Sequence, residues 1–500
     1  MSGQSPREPR LRISRGRRQG DVRVIRRRPQ RGLSRVLGVP ALFSAAYGNV
    51  GSSIYYALGV TALYALGLTP LVFVISGVFF LFTALTYAEG TAAMPAAGGS
   101  TVFARRAFGR GFAFLVGWAQ ILNYVVTIAI SAFAVAGYLS VFWPTLKTYP
   151  ANVITGIIVT VSLGIVNIVG AKESARINIS LAVVDLATQA LIVVMGLIIV
   201  LNPELLTSNI DFGTAPTFSQ FLLGISISMI AYTGIETVSN LSEETRNVPR
   251  TVPRSILLTF VTVIVMYTLI PIVALSAMPV EEVRPGVFET RLATEFLEDP
   301  VLGIVREFAL GGFVQEALEI WVGLLAATIL VLATNAGMLG LSRLAYSLGR
   351  NDMLPARISE LHPTRRTPVN AIIVTVILTS VLILPGKVTV LASLYSFGAM
   401  LSFTFAHASI VRLRISEPSL ERPFRIPWEW HIRGRRLPIT ALLGGAATTF
   451  AWLVVVLTQP SSWAIGFPWM AVGFGYYLWQ RRRRRERDAE GAGNARGGGR

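Results

Sequence analysis

The chain has 500 residues, 52% hydrophobic and 14% charged, with 45 Lys and Arg against 27 Asp and Glu. A soluble chain of this length needs more charged surface, and a mean hydropathy of +0.57 points to a membrane protein instead. There are no cysteines and only three histidines, His362, His407 and His431, which excludes disulfides and thiolate chemistry and leaves little for a metal enzyme.

The net charge of +18 is concentrated at the ends: twelve arginines lie in residues 1–38, and Arg481 to Arg485 form a run after the last apolar stretch. Basic segments flanking apolar ones are expected on the cytoplasmic side of a membrane. A nucleic-acid surface would interleave aromatic and basic residues, a pattern missing here, so no nucleic-acid partner is expected. The first apolar stretch starts near Gly38, behind the basic segment, and is too long for a signal-peptide core. It is expected to stay as an anchor.

A span needs roughly 20 mostly apolar residues. In chain order, the predicted spans are 40–62, 69–89, 113–142, 152–170, 179–201, 219–240, 255–278, 319–342, 369–385, 389–411, 438–457 and 462–480. With both termini in the cytoplasm, forty of the 45 basic residues fall inside. Only Lys147, Arg284, Arg291, Arg306 and Lys387 fall outside. That asymmetry supports twelve spans in a cytoplasmic (inner) membrane, with basic tails that can touch anionic lipid. The outer loop at 279–318 is long and acidic, and apolar residues recur helically through 287–310, as in short amphipathic helices or a lid.

Two spans carry glycine and polar residues at mid-depth. The first holds Gly48, Asn49, Gly51, Ser52 and Ser53, with Tyr56 one turn on; the sixth holds Tyr232, Thr233, Gly234 and Glu236. Glycine weakens a helix and Ser or Thr compete for its hydrogen bonds. Unwound backbone within a membrane is tolerable only beside a cavity or other protein. Half-helix N-termini suit a substrate carboxylate, and freed carbonyls suit a cation or ammonium. Close helix packing through small residues is the alternative. The breaks sit five spans apart, hence in opposite directions, as in a five-plus-five inverted repeat. In the third span Asn123, Thr127 and Ser131 are spaced i, i+4, i+8 on one face, with Tyr124 beside them.

Ensemble motifs give a resemblance. Gly48 to Tyr56 resembles the glycine-rich motif of the amino acid–polyamine–organocation superfamily. Tyr87-Ala88-Glu89 with Pro95-Ala96-Ala97-Gly98-Gly99, Gly117-Trp118, and Tyr232-Thr233-Gly234-Ile235-Glu236 with Glu243-Glu244-Thr245 and Pro249 are similar to its other signatures. So is Arg343 to Leu348, followed by Leu354-Pro355 and Thr367-Pro368. The resemblance covers roughly residues 38–415. It implies an all-α fold of two inverted five-helix repeats (39–203 and 219–415), two further spans (416–480) and basic tails (1–38 and 481–500). It also implies secondary active transport of amino acids by alternating access, without a cofactor, with substrate held at the first- and sixth-span breaks. A proton-coupled potassium importer of the same superfamily is the alternative. That branch's site resembles Asn49, Ser52, Ser53, Tyr56, Asn123, Tyr124, Thr127, Ser131, Thr233, Glu236 and Tyr395, but with aspartate where this chain has Asn49 and Asn123. Neutral ligands suit a zwitterion at least as well as a bare cation.

Carboxylates within spans are costly and suggest function. Glu236 and Asp185 are the candidates for coupling to a proton; a counter-substrate would replace that role. Asp185 facing a cytoplasmic vestibule, and Glu236 capping a half-helix, are the plainer alternatives. Thr334 and Asn335 offer oxygens for a sodium site, Glu89 is placed for an ion pair with Arg105 or Arg106, and His407 for a structural role. No nucleophile–base cluster of an enzyme is visible.

Overall fold

The computed structural model describes residues 35–497 apart from 171–174, 208, 209, 211, 366 and 433. Most of the basic N-terminal segment, residues 1–34, and the last three residues lie outside the described residues.

The first span is α1 (Val39–Val50), a 3₁₀ turn (Gly51–Ser53) and α2 (Ile54–Ala65). Leu66, at φ 45°, ends it. Then follow α3 (Thr69–Ala93), α4 (Ser100–Phe108), α5 (Arg110–Leu139), α6 (Ala151–Val169), α7 (Ala175–Ile199) and the short α8 (Pro203–Thr207). The sixth span is α9 (Phe218–Ser228), a 3₁₀ turn (Met229–Tyr232) and α10 (Glu236–Asn240). After it come α11 (Val248–Ala277), the hairpin β1 (Glu281–Arg284) and β2 (Val287–Glu289), α12 (Pro300–Arg306), α13 (Gly312–Arg350), α14 (Ala356–Ser359), α15 (Val369–Ile383) and α16 (Val388–Ser416). A second hairpin, β3 (Glu429–Ile432) and β4 (Arg435–Pro438), precedes α17 (Ile439–Thr458) and α18 (Pro460–Gly497).

Local chemistry sets these limits. Pro40, Pro70 and Pro249 sit in the first turns of α1, α3 and α11, where a missing N–H costs nothing. Thr217 and Gln220 form a capping box on α9. Gly170, at φ 83°, closes α6 in the left-handed conformation.

Among the described residues, nine helical stretches are long and apolar enough to cross a membrane, the first being the 55 residues Val39–Ala93. That stretch doubles back. Along α11, Ser255 bonds the Val39 carbonyl and Tyr267 that of Val50, so α1 runs parallel to α11. Phe73 packs on Tyr267 and Phe80 on Phe260, so α3 runs the other way. Helix α15, at 15 residues, and α18, which carries the arginine run, fall outside the nine. Helix α18 runs on through the arginine run to Gly497.

Of the long apolar helices, α5 is the most completely covered by protein. It forms the post of the bundle, against which α13, α16 and α6 pack. The first and sixth spans run antiparallel to each other: Gly224 packs on Ala65, while Asn49 bonds Thr237. Opposed helices of this kind are what an inverted repeat requires.

At the end where the chain enters α1, the familial signatures meet. Ala97 and Gly98 donate their N–H groups to Glu243 and Asn240. Val36 and Leu37 donate to the Glu244 carbonyl, and Arg343 pairs with Glu244 at 2.9 Å. Glu89 is buried there against Arg414 (2.6 Å) and Arg422 (3.3 Å). The expected partners lie elsewhere: Arg106 pairs with Glu417 and Arg105 bonds Asn351. Proximity in sequence loses to α16, which passes directly beside the end of α3. At the opposite end, the acidic loop is a hairpin, an irregular turn and one short helix, not a run of helices through 287–310. It lies across the first span, where a Cβ on Gly59 would come within 2.5 Å of the Leu297 carbonyl.

Candidate functional site

The two interruptions differ in kind. In the first span, Val50, Gly51 and Ser53 keep right-handed helical angles, so the helix tightens into a 3₁₀ turn without changing course. The sixth is ruptured: Thr233 is extended (ψ 157°) and Gly234 sits at φ +115°, a region open essentially to glycine. Gly234 is also where the spans touch, since a Cβ there would lie 2.9 Å from the Asn49 side chain.

Glu236 starts the short helix after the rupture and folds back onto the ruptured backbone. Its Oε2 accepts the Gly234 N–H at 3.0 Å, and its Oε1 accepts Asn123 Nδ2 at 3.0 Å. The short helix itself has no side-chain cap at Ile235, and the bond from Asn123 ties the same carboxylate to α5. Asn49 donates to Thr237 at 3.0 Å. Asn49 Oδ1 and Asn123 Oδ1 are both buried with no hydrogen-bond partner. Buried polar atoms are nearly always paired, so two orphan acceptors beside a carboxylate mark a place for a donor.

A band of hydroxyls adjoins this acceptor-rich end. Ser53 Oγ and Tyr56 Oη lie 2.8 Å apart. Thr233 bonds Tyr395, and Ser131 Oγ is buried without a partner. Asn123, Thr127 and Ser131 do share the buried face of α5, though Thr127 is turned back to the Asn123 carbonyl at 2.8 Å. Ser52 likewise bonds the Asn49 carbonyl, at 3.2 Å.

Some predicted residues serve other contacts. Tyr124 accepts a bond from Asn240, and Tyr232 donates to the Phe73 carbonyl at 2.6 Å. A Cβ on Gly51 would strike the Tyr47 ring at 2.7 Å, whereas one on Gly48 would meet nothing within 4 Å. Asn335 accepts a bond from Asn167 of α6 at 2.5 Å, and Thr334 bonds its own helix. His407 is buried between Thr83 and Thr86 (3.2 and 2.8 Å), a satisfied structural position.

Asp185 is fully buried rather than open to a vestibule. Tyr55 donates to its Oδ1 at 2.6 Å, while Tyr47 and Gln189 donate to its Oδ2, each at 2.9 Å. Sequence reasoning missed Tyr47, Tyr55, Gln189 and Tyr267 as partners of this region. The available signal was spacing: Tyr47 and Tyr55 are eight residues apart on one helix face, and Gln189 is one turn from Asp185.

Sequence comparison agrees with the architecture. The amino acid permease family profile matches residues 37–479. The methylthioribose transporter of Bacillus subtilis is 26% identical over 430 residues, spanning 82% of this chain and 85% of that protein. A branched-chain amino acid permease of the same organism is 22% identical over 415 residues (80% and 85%). The human cystine/glutamate transporter is 26% identical over 415 residues (81% and 77%). The chain belongs to the amino acid permease family of the amino acid–polyamine–organocation superfamily, and is a multi-pass membrane transporter rather than an enzyme.

Proposed function

We propose that this permease carries α-amino acids across a cytoplasmic membrane by secondary active transport, binding each as a zwitterion at the crossing of the first and sixth spans. The observation that carries the reading is the pair of orphan acceptors, Asn49 Oδ1 and Asn123 Oδ1, flanking the Glu236 carboxylate at the rupture. An ammonium has three donors and no acceptor, and fits that end. The hydroxyls of Ser53, Tyr56, Ser131 and Tyr395 supply donors for the carboxylate at the other. Gly48, Gly51 and Gly234 keep backbone and cavity free of side chains there, and Ser52, Tyr124, Thr127, Tyr232 and Thr233 brace the walls.

In this reading twelve spans form two inverted repeats plus two helices, with both termini cytoplasmic. Alternating access is driven by protons through Glu236 or Asp185, or by exchange. The antiparallel crossing and the basic ends support it. The alternative cargo, potassium, finds no support in the relatives named above, which transport organic solutes by name.

Competition against a bound labelled amino acid tests the two-ended pocket. Methyl esters lack the carboxylate and N-acetyl derivatives lack the ammonium. Both are expected to compete at least tenfold more weakly than the parent compound. Equal competition by either would remove the corresponding end from the site.

A further inference from the structure

The Asp185 carboxylate has a position that substrate recognition does not explain. Its two tyrosine partners lie on either side of the first-span interruption, Tyr47 in α1 and Tyr55 in α2. Gln189, which also bonds Asp185, reaches the Gly51 carbonyl inside the interruption at 3.4 Å. One carboxylate on the neighbouring α7 thus ties together both halves of a helix at its weakest point. The halves are held by different helices: α1 is tied to α11 through Ser255 and Tyr267 and to α10 through Asn49, and α2 to α5. Tyr138 of α5 donates to the Tyr55 carbonyl at 2.7 Å and packs edge-on against its ring. The Tyr47 ring has Phe43, on its own helix, as its stacking partner.

We propose that Asp185 is a proton-operated splint across the interruption: ionised, it locks α1 in line with α2, and protonated, it lets α1 swing. An ionised carboxylate only accepts, and here three donors converge on it. Such charge-assisted bonds are roughly twice as strong as neutral ones. A proton on either oxygen makes that oxygen a donor. At Oδ2 it forces Tyr47 to reverse its bond and at Oδ1 it forces Tyr55 to do so, while the bonds that remain lose the help of the charge. Either way the tie weakens, and by reciprocity any motion of α1 that breaks the tie changes the proton affinity of Asp185.

The titratable groups facing Asp185 are tyrosines. Tyr47 comes from α1, Tyr55 from α2, Tyr138 from α5 and Tyr267 from α11. Helix α13 brings the Trp321 indole to Thr188, next to this region. Among the described residues no lysine, arginine or histidine forms an ion pair with Asp185, so its charge is balanced by hydrogen bonds alone.

The purpose of the splint, moving α1 during transport, rests on the proposed function; the tie itself needs no substrate. The chain has no cysteine, so Ala41→Cys in α1 and Arg412→Cys at the same end of α16 place two spin labels without background. Their distance distribution is measured by electron–electron resonance in lipid without substrate, between pH 5 and 8. The splint predicts a displaced component at low pH, absent at high pH. Asp185→Asn should give the same distribution at both pH values. Tyr47→Phe should show at least threefold more displaced component than the parent at pH 8, and carries the test if the Asn variant does not fold. A parent distribution that ignores pH, an Asn variant that follows pH like the parent, or a Tyr47→Phe variant identical to the parent would each overturn the splint. Failure of amino-acid uptake would count against the permease reading and leave the distances to decide this one.

Discussion

Replacing Gly234 by alanine tests the rupture in the sixth span most sharply. At φ +115° the backbone is strained for any residue with a Cβ, a cost of about 1–3 kcal/mol. The new methyl would also lie 2.9 Å from Cγ and Nδ2 of Asn49, whose amide is pinned to Thr237 at 3.0 Å. Moving Asn49 aside gives up that hydrogen bond, about 0.5–1.5 kcal/mol more. At about 1.4 kcal/mol per tenfold, the sum lowers the competent site population by a factor on the order of 10². The assay is initial uptake in proteoliposomes, with size-exclusion chromatography to show that the protein is folded. Gly475→Ala serves as control, because a Cβ at that exposed position of α18 meets nothing within 4 Å. Uptake by Gly234→Ala within threefold of the parent would refute the reasoning.

Glu236→Gln keeps the shape and the bond from Gly234 but removes the charge facing the orphan amides. Amino-acid affinity should fall about tenfold or more, in line with about 1.5–3 kcal/mol for a hydrogen bond to a charged group, and unchanged affinity in equilibrium binding would dismiss the ammonium pocket. Tyr267→Phe strips the donor from the buried Val50 carbonyl; leaving it unpaired costs about 1–3 kcal/mol, read as a lower melting temperature. Arg414→Met leaves Glu89 with Arg422 at 3.3 Å and the Ile426 N–H as partners. Breaking a buried pair costs about 3–5 kcal/mol, and the further change Glu89→Gln should recover part of the lost thermal stability. In the acidic loop, burial and the neighbouring Asp299 raise the Glu298 carboxyl from 4.5 to about 7, against the pull of Lys147. An acid raised on folding favours the packed loop fully below its unfolded value and loses that contribution as pH rises through the folded one. Hydrogen-exchange protection of residues 290–306 should therefore decline between about pH 4.5 and pH 7, and decline less in Glu298→Gln, where only the buried Asp299 remains raised.

The spans were legible because hydrocarbon admits few charges, and uncharged stretches therefore mark helices whatever their neighbours. The sixth-span rupture was legible too, since Gly234 followed by Glu236 is hard to fit into a continuous apolar helix. The first-span motif overstates its break: Gly51, Ser52 and Ser53 fit a 3₁₀ turn, in which the serines bond back to the Asn49 carbonyl. Partnerships between distant elements were not legible. Glu89 finds Arg414, Asn335 finds Asn167, and Asp185 finds Tyr47 and Tyr55 only once helices pack, at separations of 325, 168, 138 and 130 residues. The α5 stripe lies between. Its face could be read from spacing, but that Thr127 turns to its own helix while Asn123 reaches Glu236 depends on the facing span.

The most direct test of the central claim is dual-label uptake. Purified protein in proteoliposomes with an inward proton gradient is offered a labelled amino-acid mixture together with a rubidium tracer. The account predicts accumulation of amino acids without rubidium. Rubidium accumulation alone would contradict it, and would mean that Asn49, Asn123 and Glu236 hold a bare cation rather than an ammonium.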